Sequence, residues 1–400
     1  MKKPALLLVL GLYITASVIS FGVFSYFGKR TLNAATTAAE NVSSVEDNRT
    51  LLSKLLDIDP NEKQDQACPL SGKYYTKTER DAWEKKRPLA VMIENHVQSR
   101  PQSGLSDADI VFEVIAEGGI TRFMGLFYCG VQKYDTILAP IRSARTYFID
   151  WASGFNQPLY AHVGGANLSG PTDALGQLAN YGWVGENDLN QFSIGYPTFV
   201  RDYNRLEGRE IATEHTMVSS TEKLWDVAKK REWTNVSPER KVGRKVVGGE
   251  DWQKDFKPWK YQDSQPEAGS VTKISYEFWS GYSDYTVEWE YDAESNSYRR
   301  KMGGEDHIDL NTNEQIKASN VIVLLTTEKG PLNEKQHMLY GTTGTGDALI
   351  FKNGDVIKAT WTKKTRTDEL QFVDERGKQL LFARGLTWIS VVNKTTKAEY

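Results

Sequence analysis

A single uncharged run from Pro4 to Gly28, bracketed by Lys2-Lys3 and Lys29-Arg30, constrains this chain more than any other feature. About 25 apolar and small residues, wound as a helix rising ~1.5 Å per residue, reach about 37 Å and cross a ~30 Å hydrocarbon core with some tilt. The run is longer than the apolar core of a cleaved signal peptide and lacks an A-x-A-like exit, so a retained anchor over residues 1–30 is expected, with a cleaved signal sequence as the alternative. The flanking charges nearly balance and orient the helix only weakly.

The rest of the chain then belongs to one side of a membrane. Some 370 residues suffice for two domains with real cores. Forty-nine basic residues against 52 acidic ones, a net charge of -3, leave no electrostatic footprint for DNA or RNA, so nucleic acid is not expected as a partner. The two cysteines, Cys68 and Cys129, both follow the apolar run. An even count in an exported chain favours a Cys68–Cys129 disulfide, while the alternative is two unpaired thiols with Cys129 a small buried hydrophobe.

Residues 31–66 contain no aromatic residue and are dominated by small and polar types, apart from Leu51 to Ile58. They read as a flexible stalk. Residues 67–235 mix strand and helix signals: apolar runs at Leu89–Ile93 and Ile110–Ile115, a Gly118-Gly119 turn into Phe123–Tyr128, a helix over Ser143–Phe155, a strand at Leu159–Val163, and a helix opened by Gly170-Pro171. Residues 236–270 form a charged, Gly-rich crossover. From Val271 to the end the signals are almost all strand, with Asn353-Gly354 and Arg376-Gly377 as hairpin turns. The expected class is α+β: a mixed α/β domain and a β-rich domain behind one transmembrane helix.

The sharpest local signal is Pro140-Ile-Arg-Ser-Ala-Arg-Thr146, where that helix should begin. Helix N-termini carry free N–H groups and partial positive charge, so Arg142 and Arg145 oppose the dipole unless an anion or an internal carboxylate joins them. Glu113, Glu117, Asp150 and Asp202 are the internal candidates. A second signal is His162-Val-Gly-Gly-Ala-Asn-Leu-Ser-Gly-Pro171, a strand end running into a Gly-rich loop whose amides can cradle an oxyanion. It fits neither a P-loop nor a dinucleotide fingerprint, and Ser169 lacks a nucleophile elbow. The five histidines show no H-E-x-x-H or other metal-ligand spacing; no metal and no cofactor are expected. Glu117, His162 and His215 are the acid–base candidates should the protein be a hydrolase or transferase.

Several of these segments together resemble the YerB-like bacterial lipoprotein family, an extracytoplasmic family of unassigned activity. They are Arg87-Pro-Leu-Ala-Val-Met-Ile-Glu-Asn-His96, Arg100–Asp109, Glu117-Gly-Gly-Ile-Thr-Arg122, Arg142-Ser-Ala-Arg145, Tyr160-Ala-His162 with its Gly pair, Phe199-Val-Arg-Asp202, Glu214-His215, and the stretch Gly344–Val392. The resemblance implies a two-domain protein on the outer face of a bacterial cytoplasmic membrane and carries over no catalytic residue. No cysteine precedes Cys68, so a lipobox is lacking and the apolar helix is expected to anchor the chain in its place. The resulting expectation is a single-pass, membrane-anchored binding or regulatory protein that meets an anionic envelope ligand or an envelope enzyme. Its site would comprise Arg122, Arg142, Ser143, Arg145, His162, Gly164, Gly165, Arg201, Asp202 and His215.

Overall fold

The computed structural model describes residues 53–263 and 269–400. The expected anchor and the stalk up to residue 52 lie outside them; among the described residues no helix is long and apolar enough to cross a membrane. From Ser53 the chain is already on the folded body. The Leu55 N–H donates to the Lys133 carbonyl, and Gln64–Ala67 pairs antiparallel with Tyr74–Thr76, so residues 53–66 of the expected stalk lie against structure.

Thirteen strands carry the architecture: β1 (Leu89–Glu94), β2 (Ile110–Glu117), β3 (Ile120–Phe127), β4 (Leu159–His162), β5 (Asp188–Asn190), β6 (Lys273–Tyr276), β7 (Val287–Asp292), β8 (Ser297–Met302), β9 (Asn320–Thr326), β10 (Gly344–Lys352), β11 (Asp355–Lys363), β12 (Gln371–Asp374) and β13 (Thr387–Asn393). Ten of them form one sheet in the order β12-β11-β10-β9-β13-β2-β3-β1-β4-β5. The class is α+β and sheet-rich.

Chain order and sheet order part company at β13. This last strand lies parallel to β9 on one side (Trp388 opposite Val321) and to β2 on the other (Trp388 opposite Val111), so it joins the two halves of the chain edge to edge. Its run Thr-Trp-Ile-Ser-Val-Val is fully buried, as a strand covered on both faces should be. On one face Trp388, Ser390, Val111 and Glu113 meet the antiparallel sheet β6-β7-β8: the Trp289 and Trp388 rings sit 5.6 Å apart, and Tyr276 and Ser390 share a 2.7 Å hydrogen bond. On the other, Phe112 stacks at 5.6 Å on Trp151.

The helices of seven residues or more among the described residues are α1 (Lys77–Trp83), α2 (Thr146–Ala152), α3 (Ala174–Asn180) and α4 (Thr221–Lys230). α1 begins at a Thr76/Glu79 capping box, and α4 buries Leu224, Trp225 and Ala228 at helical spacing. Two helix expectations need correction. The one placed at Ser143 starts only at Thr146, because residues 140–144 are spent on backbone pairing with strand ends. The one placed at Gly170-Pro171 starts at Ala174, where the Asp173 side chain caps the Gly176 N–H at 2.8 Å.

Between the faces of the core lies a fully buried ion pair. Arg300 Nη2 donates to Glu113 Oε2 at 2.8 Å, and the guanidinium lies over the rings of Trp289 and Trp388 at 5.0 and 4.4 Å. Trp388 Nε1 and Thr121 Oγ1 also donate to Glu113, each at 3.0 Å. Arg300 Nε donates to His307 Nδ1 at 3.0 Å, so this ring is neutral and its Nε2–H serves Gln102 Oε1 at 2.8 Å. Burial, then the neighbouring Arg300 charge, hold the His307 pKa well below the usual histidine range.

Candidate functional site

Seven strands, β1, β2, β4, β5, β9, β11 and β13, run the same way, and their carboxyl ends lie along one edge of the sheet. That edge is where ligands bind in open α/β sheets. Here the ends carry Glu94, Glu117, His162 and Asn190.

Residues 140–145 stitch these ends together. Glu94 N–H donates to the Pro140 carbonyl and Arg142 N–H to Met92; Val163 N–H then donates to Arg142, and Ala144 N–H to Gly164, all at 2.9–3.0 Å. The segment is therefore extended, and Arg145 is the N-cap of α2 with φ −134°. Gly165 permits the close approach, since a Cβ there would come 2.9 Å from Leu175 and 3.2 Å from Ala144; Gly164 turns the chain at φ +56°.

The two arginines meet two carboxylates. Arg145 Nη2 lies 2.5 Å from Glu117 Oε2, and Arg122 Nη2 lies 2.6 Å from Glu117 Oε1, so one carboxylate holds two buried guanidiniums. Arg122 Nη1 also donates to the Ser143 carbonyl at 2.9 Å, while its buried Nε has no acceptor among the described residues. Burial would raise the Glu117 pKa, but the charges of Arg122 and Arg145 outweigh it and hold it at about 2. Glu94, opposite Arg122 across β1 and β3, takes Arg142 Nε at 2.9 Å on one oxygen and His215 Nδ1 at 2.7 Å on the other. Burial opposes its ionisation, yet His215 and Arg142 keep its pKa below the ordinary value. His96 stacks on His215 at 4.8 Å, and burial followed by the charge of His215 lowers the His96 pKa.

His162 stands apart from this network. Its Nδ1 faces the Gly164 carbonyl and its Nε2 faces Asp188 Oδ1, both at 2.6 Å, with no exposed surface. Both ring nitrogens are thus engaged within the fold. Arg201 and Asp202 are exposed and sit beside His215: Arg201 belongs to a short strand, Val200–Arg201, paired with Met217–Val218, and donates to the Thr213 carbonyl and to Thr216 Oγ1, while Asp202 accepts from Asn204 N–H at 2.9 Å. The structure thus brings together Arg122, Arg142, Ser143, Arg145 and His215, places His162 and the Gly pair beside them, and engages the Arg201 and Asp202 side chains with their own neighbours, not with Glu94 or Glu117. Asp188, Glu94 as the shared acceptor, and His337, whose backbone bridges Glu117, were not singled out from the sequence. Only the repeated carboxylate–histidine adjacency at Glu94 hinted at any of them.

Chemically, the cluster sets three guanidiniums against two carboxylates. Glu117 is ionised and acceptor-only, and both oxygens of Glu94 are engaged. Arg142 is the most accessible of the three cations, with a quarter of its side chain exposed and only Nε engaged among the described residues. Cys68 and Cys129 are joined, Cα to Cα 5.9 Å, with Asp109 Oδ1 3.4 Å from the Cys68 sulfur; the sulfurs are bonded to each other and offer no thiolate to a metal.

Two family profiles match the chain: residues 71–234 match "Protein of unknown function (DUF3048) N-terminal domain", and residues 274–389 match its C-terminal domain. A protein of Bacillus subtilis (strain 168), YerB, named provisionally as a lipoprotein, is 29% identical over 330 residues, covering 81% of this chain and 86% of its own length. The crystal structure of YerB from Bacillus subtilis superposes with a TM-score of 0.64 at 23% identity, covering 84% of this chain and 100% of that one.

Proposed function

Because the chain belongs to the YerB-like family, which pairs the N- and C-terminal domains of DUF3048, we propose that it is a membrane-associated, extracytoplasmic binding protein of the bacterial cell envelope that receives an anionic ligand at Arg142. The name of the Bacillus relative supports the location, and the buried Cys68–Cys129 disulfide supports an oxidising compartment. Anchoring through the Pro4–Gly28 run belongs to the same proposal, since that uncharged run is long enough to cross a hydrocarbon core as a helix.

One observation carries the reading. At the carboxyl edge of the sheet, three guanidiniums face two carboxylates, and the outer nitrogens of Arg142 have no partner among the described residues. A planar guanidinium with free donors is matched to a phosphate or carboxylate. Binding is favoured over acid–base catalysis by the same geometry. Glu117 is held ionised between two cations, and the rings of His162 and His215 are buried with carboxylates on them.

The test is calorimetric titration of the full chain in detergent with inorganic phosphate and glycerol phosphate. Arg142→Gln is expected to weaken binding at least tenfold while the far-UV spectrum and melting temperature stay close to wild type. Equal affinity in the variant, or hydrolysis of purified cell-wall polymer lost on His162→Ala, would replace this reading.

A further inference from the structure

An open crevice of about 830 Å3 lies beside the ends of β9 and β13, and its lining has a character opposite to that of the arginine cluster. The volume falls within the range of small-molecule and peptide sites. Trp279 and Tyr282 form a shelf, their rings edge to face at 5.6 Å, and Tyr282 is 41% exposed. Trp279 is fixed by its Nε1–H, which donates to Glu328 Oε1 at 2.9 Å; the other oxygen of Glu328 accepts from the Tyr340 hydroxyl at 2.7 Å.

Both of those donors are neutral. Glu328 is half-buried, yet it has no ion-pair partner among the described residues, and the same holds for Glu277 and Glu399 along the crevice. Lys397 is the single basic lining residue and pairs with none of them. A carboxylate partly withdrawn from water without a counterion is costly, and an incoming cation relieves that cost. Aromatic faces attract the same kind of group, because the ring quadrupole is negative over the plane. A neutral sugar would gain from the rings and from hydrogen bonds to the carboxylates but would leave their charge uncompensated.

We infer that this crevice binds a ligand carrying a primary ammonium or guanidinium group on a flexible chain, such as the lysine or arginine side chain of an extended peptide. The cation sits over Trp279 and Tyr282 and within reach of Glu328, with Glu277 and Glu399 drawing it in. This site is independent of Arg142: it selects the opposite charge and uses other residues.

The experiment is titration of the full chain in detergent with the peptide Lys-Lys-Lys at 150 mM NaCl, against triglycine and chitotriose. Saturable binding of trilysine alone is expected, weakened at least tenfold by Glu328→Gln and at least threefold by Glu277→Gln. The second variant alters an exposed side chain and keeps the test valid if the first perturbs Trp279. Glu250→Gln, which removes a surface carboxylate paired with Lys254, should leave binding unchanged. Absence of saturable trilysine binding, equal loss in Glu250→Gln, or no effect of either crevice variant would overturn the inference; chitotriose binding as tightly as trilysine would reassign the shelf to neutral sugar.

Discussion

Replacing Glu117 by Gln removes the carboxylate shared by Arg122 and Arg145, whose side chains are 3% and 8% exposed, and leaves two buried cations with one neutral acceptor. The size of the effect follows from the pKa. A carboxyl held at about 2 instead of 4.5 reports roughly 3 kcal/mol of preference for the ionised form in the folded state, at ~1.4 kcal/mol per pH unit. Breaking a buried pair by deleting one partner costs about 3–5 kcal/mol, in the same range. The sign also has a pH signature. The folded pKa is depressed, so this stabilisation is complete above pH 4.5 and is lost as the pH falls from there to 2. Urea unfolding at pH 7 should place the variant about 3 kcal/mol below wild type, and the gap should close on acidification below pH 4.5. A gap under about 1 kcal/mol, or one that stays constant down to pH 3, would refute the argument that Glu117 is the ionised keystone of the cluster.

Three other outcomes are expected. Arg300→Met should destabilise by about 3–5 kcal/mol because Glu113 is left charged in the core, and the double variant with Glu113→Gln should recover part of that loss in urea melts. Asp109 is fully buried, and burial raises its pKa to about 6 despite help from Ser71 and the Tyr128 and Cys129 N–H groups. A raised acid pKa means that stability falls as pH rises from 4 to 6, by about 3 kcal/mol, and Asp109→Asn should flatten that slope. Replacing both Cys68 and Cys129 by Ala opens a loop of 61 residues and should cost about 4 kcal/mol by chain entropy, read as a lower denaturation midpoint.

The sequence made local structure readable and long-range pairing unreadable. Leu89–Glu94 and Asn320–Thr326 announce themselves as buried strands because every side chain is apolar or terminal, and Asn353-Gly354 fixes its hairpin through two positive φ angles. Nothing local says that Trp388 will lie between Val111 and Val321. The conflict between Arg145 and a helix dipole was legible, and its resolution was among the carboxylates named from sequence; that Arg142 would turn to Glu94 was not, because the pair joins β1 to an extended segment that the sequence marked only as the approach to a helix. Asp188 escaped notice for a similar reason. A single acid in a polar loop gives no sign that a parallel strand will lay it against His162.

The position of β13 has a consequence for how this protein comes into being. The seam between the two halves is a strand made long after β2, so Ile110 waits for a partner, Thr387, that comes from the other half of the sequence. Until then one edge of β2 is an open row of backbone donors and acceptors, the kind of surface that captures other chains. A premature stop a few codons before Thr387 would leave two half-sheets with no shared strand. The joining of the two half-sheets therefore rests on one strand of seven residues, Thr387–Asn393, and on its being free to enter between β2 and β9.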